Sequence, residues 1–208
     1  MIKNDVKDTL AEELLISIEG LLKDTDNFKN NVEALYKKYL GFPSEFLVKL
    51  PSEELESLFV HNRIKDYSKI AALGILFIDE WGFSTKDEMA FLKLKKGYLM
   101  LADIYLNKKE NTVQYYEEYL IRVLNELSEY EVEVSIKKSM VDVFLGYNKL
   151  SNVDDLIFEI LKQDTGYIEK AINIYEQIMN LPIEDIEKNS MTINEIKDTL
   201  EELKLKNV

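Results

Sequence analysis

Cysteine is absent from the 208-residue chain, which excludes disulfides, thiolate metal sites and cysteine nucleophiles. The one histidine is His61. A helical di-metal centre needs two Glu-x-x-His pairs, and the residue three before His61 is Leu58. A serine–histidine hydrolase would have to use His61, yet there is no G-x-S-x-G elbow. His61 therefore reads as a surface or capping residue. Arginine occurs only as Arg63 and Arg122, so the usual tool for bidentate carboxylate or phosphate recognition is scarce. No G-x-G-x-x-G and no P-loop occurs. The longest apolar run, Ile70 to Ile78, contains Gly74 and falls far short of the ~20 residues a membrane-spanning helix needs. Met1-Ile2-Lys3-Asn4-Asp5 lacks the basic and apolar regions of a signal peptide. A cytoplasmic, soluble protein is expected.

Acidic residues number 39 against 26 lysines and arginines, for a net charge of -13. Such a surface repels phosphate backbones and anionic lipids. The best basic patch, Lys93-Leu94-Lys95-Lys96, is short, so neither nucleic acid nor membrane is an expected partner. Adjacent acids such as Glu117-Glu118 and Glu201-Glu202 point apart on a helix and read as solvated faces. Asp24-Thr25-Asp26 resembles the start of a calcium loop but lacks its later glycine and glutamate. No metal, cofactor or catalytic residue is expected.

Three prolines and seven glycines leave long stretches for helical periodicity. Val6, Leu10, Leu14, Ile18 and Leu21 share one face, as do Phe28, Val32, Leu35 and Tyr39 before the Gly41–Pro43 stop. Ser44 to Leu50 reads as a short helical turn, and Ser52 as the cap of the next helix. Tyr67, Ile70, Gly74, Phe77 and Trp81 form a face whose opposite side is apolar too, predicting a helix buried on several sides. Thr85 and Glu88 read as a capping box. Further faces are Phe91, Leu94, Tyr98, Leu101 and Tyr105; then Val113, Tyr116, Leu120, Val123 and Leu127; then Val132, Ile136, Met140, Val143 and Tyr147. Ser151 reads as the cap before Val153, Ile157 and Ile160. Ile168, Ile172, Tyr175 and Met179 follow, and Thr192 with Glu195 forms a second capping box. No convincing period-2 alternation marks a strand. The expectation is an all-α chain of nine or ten helices, with sequential neighbours antiparallel because their loops are short.

Tyr105 and Leu145 are about 40 residues apart in corresponding places, longer than the tetratricopeptide spacing of about 34. The small residue expected early in the second helix is missing, with Gln114 and Asp154 near that place. The units read as degenerate tetratricopeptide-like hairpins, although a plain bundle would give similar hydrophobic positions. The chain is expected to be one domain, with an N-terminal helical region over residues 1–83 and tetratricopeptide-like hairpins over 84–208 in a right-handed superhelical array.

Three stretches carry a resemblance. The first runs Tyr39-Leu40-Gly41-Phe42-Pro43-Ser44-Glu45-Phe46-Leu47 and on through Leu50-Pro51-Ser52-Glu53-Glu54-Leu55. The second is Asp154-Asp155-Leu156-Ile157-Phe158-Glu159-Ile160-Leu161. The third joins Ile174-Tyr175-Glu176 and Leu181-Pro182-Ile183-Glu184-Asp185-Ile186 to Asn194-Glu195-Ile196 and its helix. Over residues 31–203 the chain resembles an uncharacterised, mainly Gram-positive bacterial family catalogued as a domain of unknown function. That resemblance implies an all-helical, tetratricopeptide-like fold and transfers no catalytic residues. Val153 departs from the alanine usual before the acidic pair.

Tyr98, Tyr105, Tyr115, Tyr116 and Tyr119 cluster on two consecutive helices. Tyrosine joins a large apolar face to a polar tip and is enriched at binding surfaces. The directions of Tyr115, Tyr116 and Tyr119 span most of a helical turn, so at least one is expected to be partly exposed; a core with wet-edged tyrosines is the alternative. The leading expectation is a non-enzymatic module that binds a basic peptide or partner helix in a groove lined by these tyrosines. A second reading is a small-ligand sensor or enzyme, which requires a buried polar constellation that the sequence does not reveal. A third is a structural homo-oligomer.

Overall fold

A computed structural model describes residues 13, 14, 16–18, 20, 28–113 and 115–207. The chain is mostly helical and of the all-α class. It divides into two compact units, Met1–Tyr130 and Glu131–Val208. The sequence boundary at residue 83 falls instead between two helices that pack extensively on each other.

In the first unit the described residues among 13–20 are helical, with Leu14 and Ile18 buried as their spacing predicts. Asp24-Thr25-Asp26, set aside above as a calcium loop, and the rest of that first apolar face lie outside the described residues. Helix α1 (Phe28–Leu35) runs into a π-helical turn, Tyr36–Leu40. The wider turn brings Tyr36, Tyr39 and Leu40 into the core and leaves Leu35 half-buried. Gly41 ends it at φ 79°, a left-handed conformation glycine adopts without penalty. Two short helices follow, α2 (Ser44–Lys49) and α3 (Ser52–Ser57). Ser52 is the first helical residue of α3 and its side chain caps nothing; the chain enters from extended Pro51.

Strands β1 (Val60–His61) and β2 (Ile64–Lys65), which the sequence did not announce, then form a small antiparallel hairpin pairing Val60 with Lys65 and His61 with Ile64. Asn62 and Arg63 turn it at φ 51° and 66°. Two left-handed residues are what a twisted two-residue hairpin turn requires, and without a glycine the signal is weak. The lone histidine is thus an exposed strand residue.

Helix α4 (Tyr67–Gly82) is buried from Ile70 to Asp79, the all-round burial its sequence predicts. Helix α5 (Glu88–Leu106) packs along it. Gly74 faces Gly97 while Glu80 meets Lys93, so rising numbers on one helix meet falling numbers on the other and the pair is antiparallel. A Cβ on Gly97 would lie 2.7 Å from the Gly74 carbonyl oxygen, so the helices touch backbone to backbone there. The cap of α5 is Asp87, whose carboxylate accepts the Ala90 amide at 2.9 Å. Thr85 instead donates to Asp87. Asp87 outcompetes the expected Thr85–Glu88 box because it stands two residues closer to the free amides, immediately before the first helical residue. Helix α6 (Tyr116–Leu127) packs on both α4 and α5.

In the second unit α7 (Val134–Gly146) and α8 (Leu150–Gln163) form a hairpin. A single 3-10 turn, Thr165–Tyr167, leads to α9 (Ile168–Ile178). Its buried face is Ala171, Ile174, Tyr175 and Ile178, leaving Ile168 and Ile172 half-buried. Helices α10 (Ile183–Lys188) and α11 (Ile193–Lys206) complete the unit, and α11 begins with the predicted Thr192–Glu195 capping box. Ser151 is inside α8 rather than at its cap. The α8 amide of Leu150 is capped at 2.8 Å by Asn189, far along the chain, while Ser151 donates to the Asn189 carbonyl. Among the described residues no helix is long and apolar enough to cross a membrane.

Candidate functional site

The predicted tyrosines divide by exposure. Tyr98 is fully buried in α5, Tyr105, Tyr116 and Tyr119 are half-buried, and Tyr115 is 52 % exposed. Tyr98 therefore belongs to the core of the first unit. The last turn of α5 and the first turn of α6 bring Tyr105 and Tyr116 together, with Tyr115 just before α6 and Tyr119 one turn along it. The Glu117 carboxylate lies close enough to both Tyr105 and Tyr116 to push up their hydroxyl pKa values, after the larger effect of burial. One helical turn on, exposed Glu118 and Ile121 flank Arg122. This face joins aromatic rims, an exposed isoleucine and two carboxylates.

Beneath it lies a buried acid. Asp79 on α4 is 4 % exposed. It accepts from Arg122 Nη2 at 2.6 Å and from the Tyr119 hydroxyl at 3.3 Å. The guanidinium also lies 4.3 Å from the centre of the Tyr119 ring. Burial holds the Asp79 carboxyl above the ordinary range, with Arg122 and Tyr119 pulling the other way. Buried carboxylates are tolerated only when paired in this manner. Arg122 and Tyr119 are thus fixed in orientation by α4, and α6 presents its outer residues on a rigid base.

The next residue, Glu80, points elsewhere. Its Oε2 pairs with Lys93 of α5 at 2.5 Å, and Lys93 donates to Ser44 of α2 at 3.2 Å. Tyr36 is fully buried with the Lys93 ammonium 5.7 Å from its ring centre. Burial and the Glu80 charge push its hydroxyl well above the usual tyrosine range. Neither Tyr36 Oη nor Glu80 Oε1 has a well-directed hydrogen-bond partner among the described residues. Sequence reasoning did not find this constellation, because its members come from four separate elements. The only local signal is Asp79-Glu80, two acids inside an otherwise apolar helix.

The expected basic patch is largely taken up by the fold. Lys93 is buried against Glu80, and Lys96 donates to the Leu50 carbonyl, with burial pushing its pKa down. The chain's only tryptophan, Trp81, is buried and donates to Glu126 at 2.7 Å, and its ring meets Phe91 and Tyr130.

No family model, curated protein or solved structure matches this chain. The site is therefore read from its geometry alone. In the second unit buried Lys137 is held by Glu131 and Glu159 at 2.8 Å each. Its ammonium pKa is raised because those bonds outweigh burial. Tyr175 donates to Asp154, and burial raises the pKa of both. These pairs join α8 to its neighbours and are closed on themselves. A shallow recess of about 190 Å³ lies among Ile183, Ile186, Thr192 and Asn194. Among the described residues no group of three or more histidine, aspartate or glutamate side chains is placed to hold a metal ion.

Proposed function

We propose that the chain is a non-enzymatic interaction module of tetratricopeptide-like helix pairs, whose α5–α6 face takes a basic peptide or helix. The observation that carries it is the solvent-facing Tyr115 beside Tyr105, Tyr116 and the Glu117–Glu118 acids. Half-exposed tyrosines offer large contact area at low entropic cost. The carboxylates favour lysine or arginine, and the net charge of -13 speeds encounter with a basic partner. The antiparallel α4–α5 pair and the α7–α8 hairpin support the helix-pair part of this reading. Isothermal titration with a lysine-rich amphipathic helical peptide tests it. Binding by wild type, weakened about tenfold in Tyr115→Ser and lost to a glutamate-rich peptide of the same pattern, is expected. Equal binding of both peptides would contradict it.

A second reading is favoured by the Tyr36–Ser44–Glu80–Lys93 constellation. It supplies the buried polar groups that a small-ligand sensor between helices requires. A metabolite screen by thermal shift, in which one compound stabilises wild type and not Tyr36→Phe, would support it.

A further inference from the structure

One end of the first unit carries two complementary features side by side. The β1–β2 hairpin is exposed along nearly its whole length, with Val60 44 % and Ile64 73 % accessible. Its paired residues place these two side chains on opposite faces, so neither face of the hairpin rests on a core. Its tip holds Arg63 in a left-handed conformation, which a non-glycine residue adopts at a cost of about 1 kcal/mol. Arg63 has no ion-pair partner among the described residues. Lys65 is paired with Glu56, which leaves Arg63 as the cation the hairpin offers in a chain that is otherwise strongly acidic.

The tyrosine face lies at the same end. The Glu56 hydrogen bond raises the Lys65 ammonium pKa, with a lesser contribution from the Asp103 charge in the last turn of α5. The loop after α5 returns to the start of α4, where Thr112 donates to Ser68 and the Lys109 ammonium lies 5.4 Å from the Tyr67 ring centre. Tyr105 and Glu117 complete the neighbourhood from α5 and α6. Leu106 and Tyr115 add exposed apolar surface there.

We propose that this end is self-complementary: the basic, apolar hairpin of one copy docks on the acidic tyrosine face of a second copy, and the exchange is mutual. A two-fold axis requires that residue i meet residue j while j meets i, and having both features on one end satisfies that condition. The occupant is thus a second copy of this chain. The proposal rests on the module reading above in using the same tyrosine face, and the pairing of Arg63 with that face has to outweigh the repulsion between two copies that each carry a net charge of -13.

Sedimentation equilibrium on the full chain over a wide concentration series is the test. Wild type is expected to dimerise reversibly. Arg63→Glu and Glu117→Arg are each expected to weaken dimerisation by about tenfold or more, and the double exchange to restore it in part. Arg63→Gly removes the guanidinium and relieves the turn, so it should weaken dimerisation with no loss of thermal stability. Circular dichroism and Trp81 fluorescence establish that each variant is folded. A dimer indifferent to these changes, or two single variants that weaken and a double that does not recover, would overturn the proposal. A monomeric wild type that still binds the lysine-rich peptide overturns self-pairing and leaves the module reading standing. A monomer that also ignores the peptide overturns both.

Discussion

Gly97 has less room for a side chain than Gly74, which it faces. A methyl group there would stand 2.7 Å from the Gly74 carbonyl oxygen and 2.8 Å from Ile78 Cγ1, and backbone cannot move aside as a flexible side chain can. Gly97→Ala is expected to cost about 2–3 kcal/mol in urea unfolding, the upper part of the range for overpacking. At Gly74 the nearest atom is the end of the Leu101 side chain at 3.1 Å, so Gly74→Ala should cost less. The reverse order would mean that the helices do not cross at these residues. Asp79 makes a second residue-level test. Removing its partner in Arg122→Gln leaves a buried carboxylate without its cation. The loss should be about 2 kcal/mol at neutral pH, below the cost of breaking a fully buried pair because Arg122 is half exposed. Burial places the folded Asp79 pKa above its unfolded value. Its share of stability is therefore greatest below the unfolded value, about 3.9, and declines as pH rises through the folded one. The variant's deficit should accordingly shrink on acidification through that window, which unfolding curves at several pH values will read.

At the scale of elements, caps discriminate between sequence expectation and structure. Asp87→Ala should destabilise α5 by about 1 kcal/mol, whereas Thr85→Ala should have a much smaller effect. Asn189→Ala should cost about the same as Asp87→Ala although it lies outside α8, because it caps that helix from a distance. The Trp81–Glu126 bond joins α4 to α6 and lowers the glutamate pKa, with a lesser contribution from Lys86. A lowered carboxylate contributes stability that is present above its unfolded value, about 4.3, and is lost as pH falls through the folded one. Fluorescence of the single tryptophan should report that loss on acidification and be flat in Glu126→Gln. Legibility followed the range of the interaction. Helices with a strong local period, such as α4, and the Thr192–Glu195 box could be read because their determinants lie within a turn or two. The hairpin turn of Asn62 and Arg63 could not, since neither residue advertises a left-handed backbone as glycine would. Asn189 capping α8 was hidden by sequence distance. So was the Tyr36–Glu80–Lys93 network. The tyrosines were grouped correctly in sequence, but periodicity alone did not separate Tyr98, which faces the core, from Tyr115, which faces water.

At the scale of the molecule, the chain combines an excess of acids with an end of its first unit where aromatic and apolar side chains meet solvent. Large exposed apolar groups rimmed by charge are the kind of surface that marks interaction sites, and the buried ionic groups of both units are bonded to neighbouring helices. Those bonds fix how helices seat on one another, so the tyrosine face is presented on a rigid support. The most direct measurement is amide chemical-shift mapping of the labelled chain during titration with the lysine-rich amphipathic peptide. Shifts concentrated at residues 103–122 and saturating together are the predicted result. Shifts scattered over both units, or gathered around the recess at Ile183 and Thr192, would contradict it.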